Sequence, residues 1–189
     1  MQGVKNIELD SRALRVLAHP LRSRLLSQLR LHGAANATVL AERLGTNTGA
    51  TSYHLRKLAE VGLVEETAEG TGKQRFWAAA QESHSWRNTE YTDDPDAQAA
   101  LGWLRQQQVR YFVERAELWE RERARWPEAW QDAASMSDVI LTVDAARLTE
   151  LMEELYAVAL RYRDLPPSGD GRQVVVHVAG MPAEPEDAP

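Results

Sequence analysis

The stretch LAERLGTNTGATSYHLRKLAEVGL, residues 40–63, decides the fold of this chain. Its apolar residues recur at helical spacing on both sides of Gly45, a residue type that commonly ends a helix. The first run predicts a short helix over residues 39–44 with Thr38 as its N-cap, and the second predicts a helix over residues 48–61. Two helices joined by a tight turn that contains glycine have the spacing of a helix-turn-helix.

The second of these helices has one apolar side and one polar side. At about 100° per residue, the polar side is short and lies opposite the residues that would pack on the first helix. It consists of Gly49, Ser52, Tyr53, Arg56, Lys57 and Glu60. In a major groove, Ser52 and Tyr53 would reach base edges. Arg56 and Lys57 would meet phosphate or guanine.

A hairpin is predicted directly after the helix pair. Residues 63–67 and 74–78 are both predicted as strands, and the glycine-rich sequence between them is a turn signal. Lys73 and Arg75 lie beside this turn. The hairpin tip, residues 70–75, would therefore act as a wing whose cations contact the flanking DNA backbone.

The charge of the chain is unevenly distributed, although 22 Lys+Arg against 28 Asp+Glu give a total of only −6. Residues 1–80 hold 11 Lys+Arg and 7 Asp+Glu, a net of +4, whereas residues 81–189 hold 11 and 21, a net of −10. Such asymmetry indicates a module that faces an anion joined to one that faces a partner or ligand. A solvated helix beside an incidental basic hairpin would show the same residues. The helix pair, the hairpin and the basic charge together favour binding of double-stranded DNA.

These residues also resemble a known family. The segments LAHPLRSRLLSQL (17–29), LAERLGTNTGATSYHLRKLAEVGLVEE (40–66) and RFWAA (75–79) are similar to the ArsR-type winged helix-turn-helix repressors of bacteria, over about residues 11–80. The resemblance implies a homodimer that binds an operator and dissociates when an effector changes its geometry. By matching position, the DNA-binding residues it implies are Thr48, Gly49, Ser52, Tyr53 and Arg56 on the recognition helix, with Lys73 and Arg75 on the wing.

The metal-sensing function of that family is not expected here. The chain has no cysteine, which excludes thiolate metal sites and cysteine nucleophiles. Its five histidines fall in separate predicted elements without the spacing of a zinc site, and His54 is expected to pack the recognition helix. No phosphate loop, nucleotide fingerprint or catalytic-triad motif is present, so an enzyme, a metal and a cofactor are not expected.

The remainder of the chain predicts a second, different domain. Residues 81–95 are predicted as a linker, and a long helix follows over 96–125. Strands over 138–143 and 173–178 on either side of a helix over 145–162 predict a small β-α-β unit. The predicted organisation is a winged helix-turn-helix domain (1–80), a linker (81–95), a dimerisation or effector domain (96–181) and a disordered tail (182–189). The fold class is therefore mainly α with small β elements, α+β.

The long helix carries an apolar stripe that predicts a dimer interface. The interface residues it predicts are Leu101, Leu104, Gln108, Tyr111, Phe112, Arg115, Leu118 and Trp119. Polar residues that interrupt such a stripe set register in a coiled coil, and Gln108, Arg115 and Glu122 recur at heptad spacing. An operator-binding helix-turn-helix also normally needs two copies about one DNA turn, ~34 Å, apart. The alternative is that the stripe packs within its own chain.

Aromatic residues are concentrated between Phe76 and Trp130, where ten of the thirteen lie. Those expected to wall a pocket for a small organic effector are Trp86, Trp103, Trp126 and Trp130. A tryptophan-rich dimer core explains the same residues and is the more common arrangement at helical spacing. The two predicted C-terminal strands would pair within the chain or across the dimer, and the sequence leaves both open.

The sequence as a whole predicts a dimeric, cytosolic transcription regulator of the repressor type, whose partners are an operator, a second copy and a small organic effector. No membrane is expected among its partners, because no apolar run approaches the roughly 20 residues that span a bilayer. The alternative is a winged-helix protein-interaction module that works through its acidic C-terminal half. Duplex binding that falls with salt would separate the two functions.

Overall fold

The computed structural model describes residues 6–68, 75–81, 83–87, 89–166 and 169–184. Their contacts divide the chain into unit 1 (Met1–Tyr111) and unit 2 (Phe112–Pro189). The helices are α1 (Ser11–Leu17), α2 (Pro20–His32), α3 (Ala37–Leu44), α4 (Thr48–Ala59), α5 (Pro95–Glu122), α6 (Glu128–Ala133) and α7 (Ala145–Arg163). The strands are β1 (Asn6–Glu8), β2 (Ala35–Asn36), β3 (Val64–Thr67), β4 (Phe76–Ala79) and β5 (Ser83–Ser85). The described residues are thus mainly helical with small strands, as predicted.

Helices α1 to α4 of unit 1 follow one another in the predicted order. His19 separates α1 from α2 because a residue before proline is extended, and its Nδ1 atom accepts a hydrogen bond from the backbone N–H of Leu21 at 3.2 Å. Gly45 ends α3 in the left-handed conformation with φ 63°. Helices α3 and α4 therefore form the predicted helix-turn-helix.

The N-cap of α3 is Asn36 and not the predicted Thr38. The Oδ1 atom of Asn36 accepts a hydrogen bond from the backbone N–H of Val39 at 2.9 Å. Because of this cap, the helix begins at Ala37, two residues earlier than predicted. Thr38 instead lies in the first turn of the helix.

The predicted hairpin is present and belongs to a three-stranded antiparallel sheet with the order β2-β4-β3. Glu66 of β3 lies opposite Trp77 of β4. Strand β2 ends at the cap of α3, so the sheet holds the start of that helix next to the base of the wing. The turn of the hairpin, with Lys73, lies outside the described residues.

Residues within the predicted linker, 81–95, pack on unit 1. Strand β5 pairs in parallel with β1, with Ile7 opposite His84. Tyr91 is buried, and its hydroxyl donates a hydrogen bond to the carbonyl of Leu9. This pairing leaves no local sequence signal, because a three-residue strand is too short to show an alternating pattern.

The core of unit 1 is built largely from leucines. Its fully buried large side chains are Leu9, Leu14, Leu25, Leu26, Leu40, Leu55, Leu58, Leu63 and Thr51. The first half of α5 completes this core with Ala97, Ala100, Leu101 and Leu104. Each buried leucine contributes about 1.5–3 kcal/mol relative to an exposed one. This packing holds α4 by its apolar side and leaves its polar side facing outward.

Unit 2 contains the second half of α5, a 3-10 turn (Arg123–Arg125), α6 and α7. Helix α7 matches the prediction closely, but the predicted strands are wrong. Neither 138–143 nor 173–178 is a strand, so the described C-terminal region is helical and contains no β-α-β unit. A strand forms only where a neighbour takes up its backbone hydrogen bonds, and the described residues of unit 2 offer neither segment such a neighbour.

Within the described ranges, no helix has both the length and the apolar character that a membrane crossing requires.

Candidate nucleic-acid interface

A cleft of about 420 Å³ lies where the start of α3, the polar side of α4 and the base of the wing meet. It is lined by Asn36, Ala37, Thr38, Thr48, Ser52, Arg56, Arg75 and Trp77. Thr48, Ser52 and Arg56 form one row along α4, because residues four apart in a helix lie on the same side. We call this site the α3–α4–wing cleft.

The position of α4 is fixed by its buried side and by its N-cap. Thr51, Leu55 and Leu58 are buried in the core of unit 1. The Oδ1 atom of Asn47 accepts a hydrogen bond from the backbone N–H of Ala50 at 2.8 Å. The row along the cleft is therefore presented by a helix that is held at both its side and its start.

Two guanidinium groups give the cleft its positive charge. Arg56 is exposed and, within the described residues, takes part in no ion pair. Arg75 lies 3.5 Å from Glu66 (Nη1 to Oε2) with 64% of its side chain exposed, so this pair is worth less than about 1 kcal/mol and yields readily to another anion. The backbone N–H groups in the first turn of α3 add partial positive charge, because they lie at the positive end of the helix dipole. The cleft thus suits a phosphate.

Tyr53 and Lys57 lie on the exposed side of α4 outside the cleft. The Nζ atom of Lys57 is 2.9 Å from both carboxylate oxygens of Glu60 and 5.9 Å from the centre of the Tyr53 ring. Its charge is therefore already partly compensated. Tyr53 is half exposed. Its hydroxyl group can donate a hydrogen bond to a base edge or accept one from it when the helix lies in a major groove.

Residues 17–67, which contain the whole of α2, α3, α4 and β3, match the family described as "Helix-turn-helix domain". This segment is a helix-turn-helix domain. The resemblance predicted from the sequence is confirmed for the matched residues. Domains of this family bind DNA in transcription regulators and are not enzymes.

Solved structures similar to the chain include two of a fragment from Mycobacterium bovis. One is a crystal structure of a possible transcriptional regulatory protein, with 28% identity over 38% of this chain and 73% of that chain and a TM-score of 0.34. The other is a solution structure described as a homodimeric winged helix-turn-helix DNA-binding domain of a possible ArsR-family regulator. It also has 28% identity over 38% of this chain and a TM-score of 0.34, and the match spans 63% of that chain.

A third similar structure is a possible transcriptional regulator for arsenical resistance, with 27% identity over 55% of this chain and 94% of that chain and a TM-score of 0.33. Because these TM-scores are below 0.5, the assignment of the helix-turn-helix domain stands on the family match alone. No curated protein matches the chain.

The helix-turn-helix domain and the strand that follows it bring together half of the predicted DNA-binding residues. Those that line the α3–α4–wing cleft are Thr48, Ser52, Arg56 and Arg75. Those that lie along α4 outside the lining are Gly49, Tyr53 and Lys57. Lys73 falls outside the described residues.

Gly49 has a local structural role that the sequence did not indicate. A Cβ atom at this position would lie 3.3 Å from the Oδ1 atom of Asn47, the same atom that caps α4. A larger residue would therefore crowd the cap. The missing side chain therefore leaves room for the cap of α4.

Four residues of the cleft were not among the predicted DNA-binding residues, namely Asn36, Ala37, Thr38 and Trp77. The first three enter because α3 begins at Ala37, which turns its first residues toward α4. The sequence did contain a signal for this earlier start of α3, because Asn is among the preferred N-cap residues and Asn36 precedes Val39 by three residues.

His54 packs within the helix-turn-helix domain, as expected from the sequence. Its ring lies 4.4 Å from the ring of His19, centre to centre, at 36°. Burial lowers the pKa of His54, and the neighbouring His19 and Arg22 lower it further. Burial and then Arg22 likewise lower the pKa of His19. Among the described residues, no group of three potential ligand side chains is placed to hold a metal ion.

The residues predicted for a dimer interface divide between the two units. Leu101 and Leu104 are buried in unit 1 and therefore pack within their own chain, which was the alternative for this stripe. Further along α5, Gln108 and Arg115 are exposed and Tyr111 is partly buried. In unit 2, Phe112 and Leu118 are exposed and Trp119 is partly buried.

The four tryptophans predicted to wall a pocket also divide between the units. Trp86 and Trp103 pack against the core of unit 1. In unit 2, the Trp126 ring lies 6.1 Å from that of Trp119 and 5.9 Å from that of Trp130. The tryptophans of unit 2 thus form a cluster of three tilted rings, and Trp119, not included in the predicted pocket, is one of them.

Proposed function

We propose that this protein is a homodimeric repressor of transcription that binds an operator in double-stranded DNA. Helix α4 would lie in the major groove, and the wing, residues 70–75, would lie on the flanking backbone. The observation that carries this proposal is the α3–α4–wing cleft, in which Arg56 of α4, Arg75 of the wing and the start of α3 converge.

The cleft supports a phosphate contact at the edge of the groove. Arg56 and Arg75 supply two cations from different elements, and the first turn of α3 supplies backbone donors. A phosphate held between them would fix the depth and register of α4 on the duplex, as backbone contacts do in protein–DNA complexes.

Sequence would be read by the exposed side of α4. Tyr53 is the residue of this side with a large, half-exposed polar side chain, and Ser52 lies next to it. Their hydroxyl groups both donate and accept hydrogen bonds, which suits them to the mixed pattern of the major groove. Lys57 would add charge only when DNA displaces Glu60.

A dimer would place two such helices on successive turns of the operator, about 34 Å apart. For the interface we propose the part of the predicted stripe that the core of unit 1 does not absorb. These residues are Gln108, Tyr111, Phe112, Arg115, Leu118 and Trp119.

We also propose that a small organic effector releases the DNA, with the cluster of Trp119, Trp126 and Trp130 as the feature that supports an aromatic ligand. Titration of tryptophan emission with a panel of planar organic compounds tests this part. Quenching that saturates, together with loss of DNA binding, is expected. A flat response across the panel would contradict it.

The DNA-binding proposal is tested by fluorescence-anisotropy titration of the full chain with labelled genomic duplexes at several salt concentrations. We expect binding that weakens steeply as salt rises, because each neutralised phosphate contributes about −0.9 to the slope of log K against log salt. Arg56→Ala should weaken binding, and Arg161→Ala, which removes the same charge from unit 2, should not. The protein-interaction alternative predicts no salt-sensitive duplex binding by any of the three proteins.

A further inference from the structure

We infer that residues 138–143 and 173–178 together form a surface through which two copies of this chain associate. These two stretches are here called the C-terminal apolar segments. The inference rests on the homodimer of the proposed function and adds to it an interface that lies outside the long helix.

Unit 2 has no core of its own within the residues described. Not one described residue beyond Leu104 is buried, whereas unit 1 buries residues from every helix. Of the exposed large apolar side chains in the described chain, all but Tyr53 lie at or beyond Val109. A unit that buries so little apolar surface lacks the main term that stabilises a fold. Unit 2 therefore needs another molecule to cover it.

The C-terminal apolar segments hold the most exposed part of this surface. Ile140 is 89% exposed and Val139 is 78% exposed. In the second segment, Val174 is 65% exposed and Val176 is 66% exposed. The sequences DVILTV and QVVVHV are rich in β-branched residues, which fit the pleated surface of a sheet. Yet, within the described ranges, neither segment pairs with a strand. Both have the composition of a strand and lack only the neighbour.

The second segment is nevertheless seated on the helices of unit 2. The ring of His177 lies 5.0 Å from that of Phe112 on α5, edge to face. A Cβ atom on Gly180 would lie 2.9 Å from the Sδ atom of Met152 on α7, so glycine allows the chain to pass close to that helix. The valines of this segment are thus held on a support and still exposed.

The charge distribution of unit 2 makes this surface the one where two copies can approach each other. Residues 112–189 hold 8 Lys+Arg and 16 Asp+Glu, a net of −8, so most approaches of two copies bring like charges together. Asp138 is the single Asp, Glu, Lys or Arg residue in the two C-terminal apolar segments. Two copies can meet there with little repulsion, whereas a basic protein partner would be drawn to the acidic surface around it.

The available area is also of the size that a dimer needs. The exposed apolar side chains of the segments are Val139, Ile140, Leu141, Val143, Val174, Val175 and Val176. At on the order of 100 Å² each they offer about 700 Å², against about 800 Å² per partner in a standard interface. If unit 2 needs a partner to bury its apolar surface, that partner must be present whenever the chain folds. A second copy of the same chain meets this condition.

Sedimentation velocity of the full chain over a range of concentrations tests the inference. The wild type should be a dimer, and Ile140→Glu and Val174→Glu should each raise the dimer dissociation constant about tenfold or more. Tyr162→Glu is the matched control, since it places the same charge on a large side chain of α7 that is about as exposed as Val174, and it should change little. A monomeric wild type, or equal dimerisation of all four proteins, would overturn the inference.

Hydrogen–deuterium exchange on the wild type decides the matter even where a glutamate variant fails to fold. Backbone amides of the C-terminal apolar segments should be protected at high protein concentration and should lose protection on dilution. Rapid exchange at every concentration would overturn the interface. A wild-type dimer with protected segments that binds no DNA would leave this inference standing and remove the proposed function.

Discussion

Arg56 of α4 and Arg75 at the base of the wing line the same cleft, next to the first turn of α3. The three-stranded sheet places Arg75 next to the start of α3, because β4 begins directly after Arg75 and its partner β2 leads into α3. Two like charges at one site repel each other unless an anion lies between them. The arrangement is therefore one that DNA binding would stabilise.

Arg75→Ala should lower affinity for all duplexes by a similar factor. A phosphate contact carries no sequence information, and its loss should reduce the slope of log K against log salt by about 0.9. Anisotropy titrations with an operator fragment and with random duplex, each at several salt concentrations, measure this. The control is Arg161→Ala, and an unchanged slope in Arg75→Ala would place its guanidinium away from DNA.

Tyr53→Ala should lower the preference for the operator over random duplex. The loss of a base contact typically costs about 1–3 kcal/mol at the specific site and little elsewhere. Competition titrations of both duplexes against wild type and variant measure the ratio. Tyr53→Phe, which removes only the hydroxyl group, separates hydrogen bonding from stacking or packing. A ratio that stays at the wild-type value in both variants would exclude Tyr53 from base reading.

Glu60→Gln should strengthen DNA binding without regard to sequence. Glu60 holds Lys57 at 2.9 Å, and its removal leaves the ammonium group free to meet a phosphate. The expected gain is modest, since the exposed ion pair is worth less than about 1 kcal/mol. Anisotropy with random duplex tests this. Glu65→Gln, which removes an exposed carboxylate from the adjacent strand β3, controls for net charge, and an equal gain in both variants would mean that only total charge matters.

Asn36→Ala should destabilise unit 1 by about 1 kcal/mol, because it removes the cap of α3. Thr38→Ala should cost clearly less, since Thr38 is inside the helix and does not cap it. Urea unfolding monitored by circular dichroism compares the two variants with the wild type. The reverse order would restore Thr38 as the N-cap.

Acidification should destabilise unit 1 through His84. Burial, with the neighbouring Arg30, lowers the pKa of His84 to about 4, against about 6.5 in the unfolded chain. Below pH 6.5 the unfolded state therefore binds more protons than the folded state. The free energy of unfolding thus decreases as the pH is lowered from about 6.5 to about 4. The loss is of the order of 3 kcal/mol.

Urea unfolding at several pH values between 7 and 4 measures this effect. His84→Leu should show a clearly weaker dependence on pH than the wild type, and His32→Leu, which alters an exposed histidine of α2, should behave as the wild type does. If His84→Leu shows the same pH dependence as the wild type, other groups cause the effect. His19 and His54 are candidates, because burial lowers the pKa of each.

The helix-turn-helix could be predicted because its signals are local. Leucine spacing, Gly45 and His19-Pro20 act over a few residues, and the core of unit 1 obeys them. The cap at Asn36 was missed because two capping residues, Asn36 and Thr38, compete within one turn. The pairing of β1 with β5 joins residues far apart in sequence, which no local pattern records.

The C-terminal strands show where sequence reasoning fails for a physical reason. Residues 138–143 and 173–178 have the composition of strands, but composition does not supply a neighbour for the backbone. In the proposed dimer that neighbour belongs to the other copy. Leu101 and Leu104 show the opposite case, in which a predicted partner in a second copy is replaced by one in the same chain. They belong to a stripe that fits a dimer interface, but they are buried in the core of their own chain.

The most direct test of the central claim is the salt dependence of duplex binding by the wild type and by the double variant Arg56→Ala/Arg75→Ala. If the α3–α4–wing cleft holds DNA, the wild type binds with a steep negative slope, and the double variant binds more weakly with a slope smaller by about 2. If both proteins fail to bind, or bind with the same affinity and slope, the cleft is not a nucleic-acid interface.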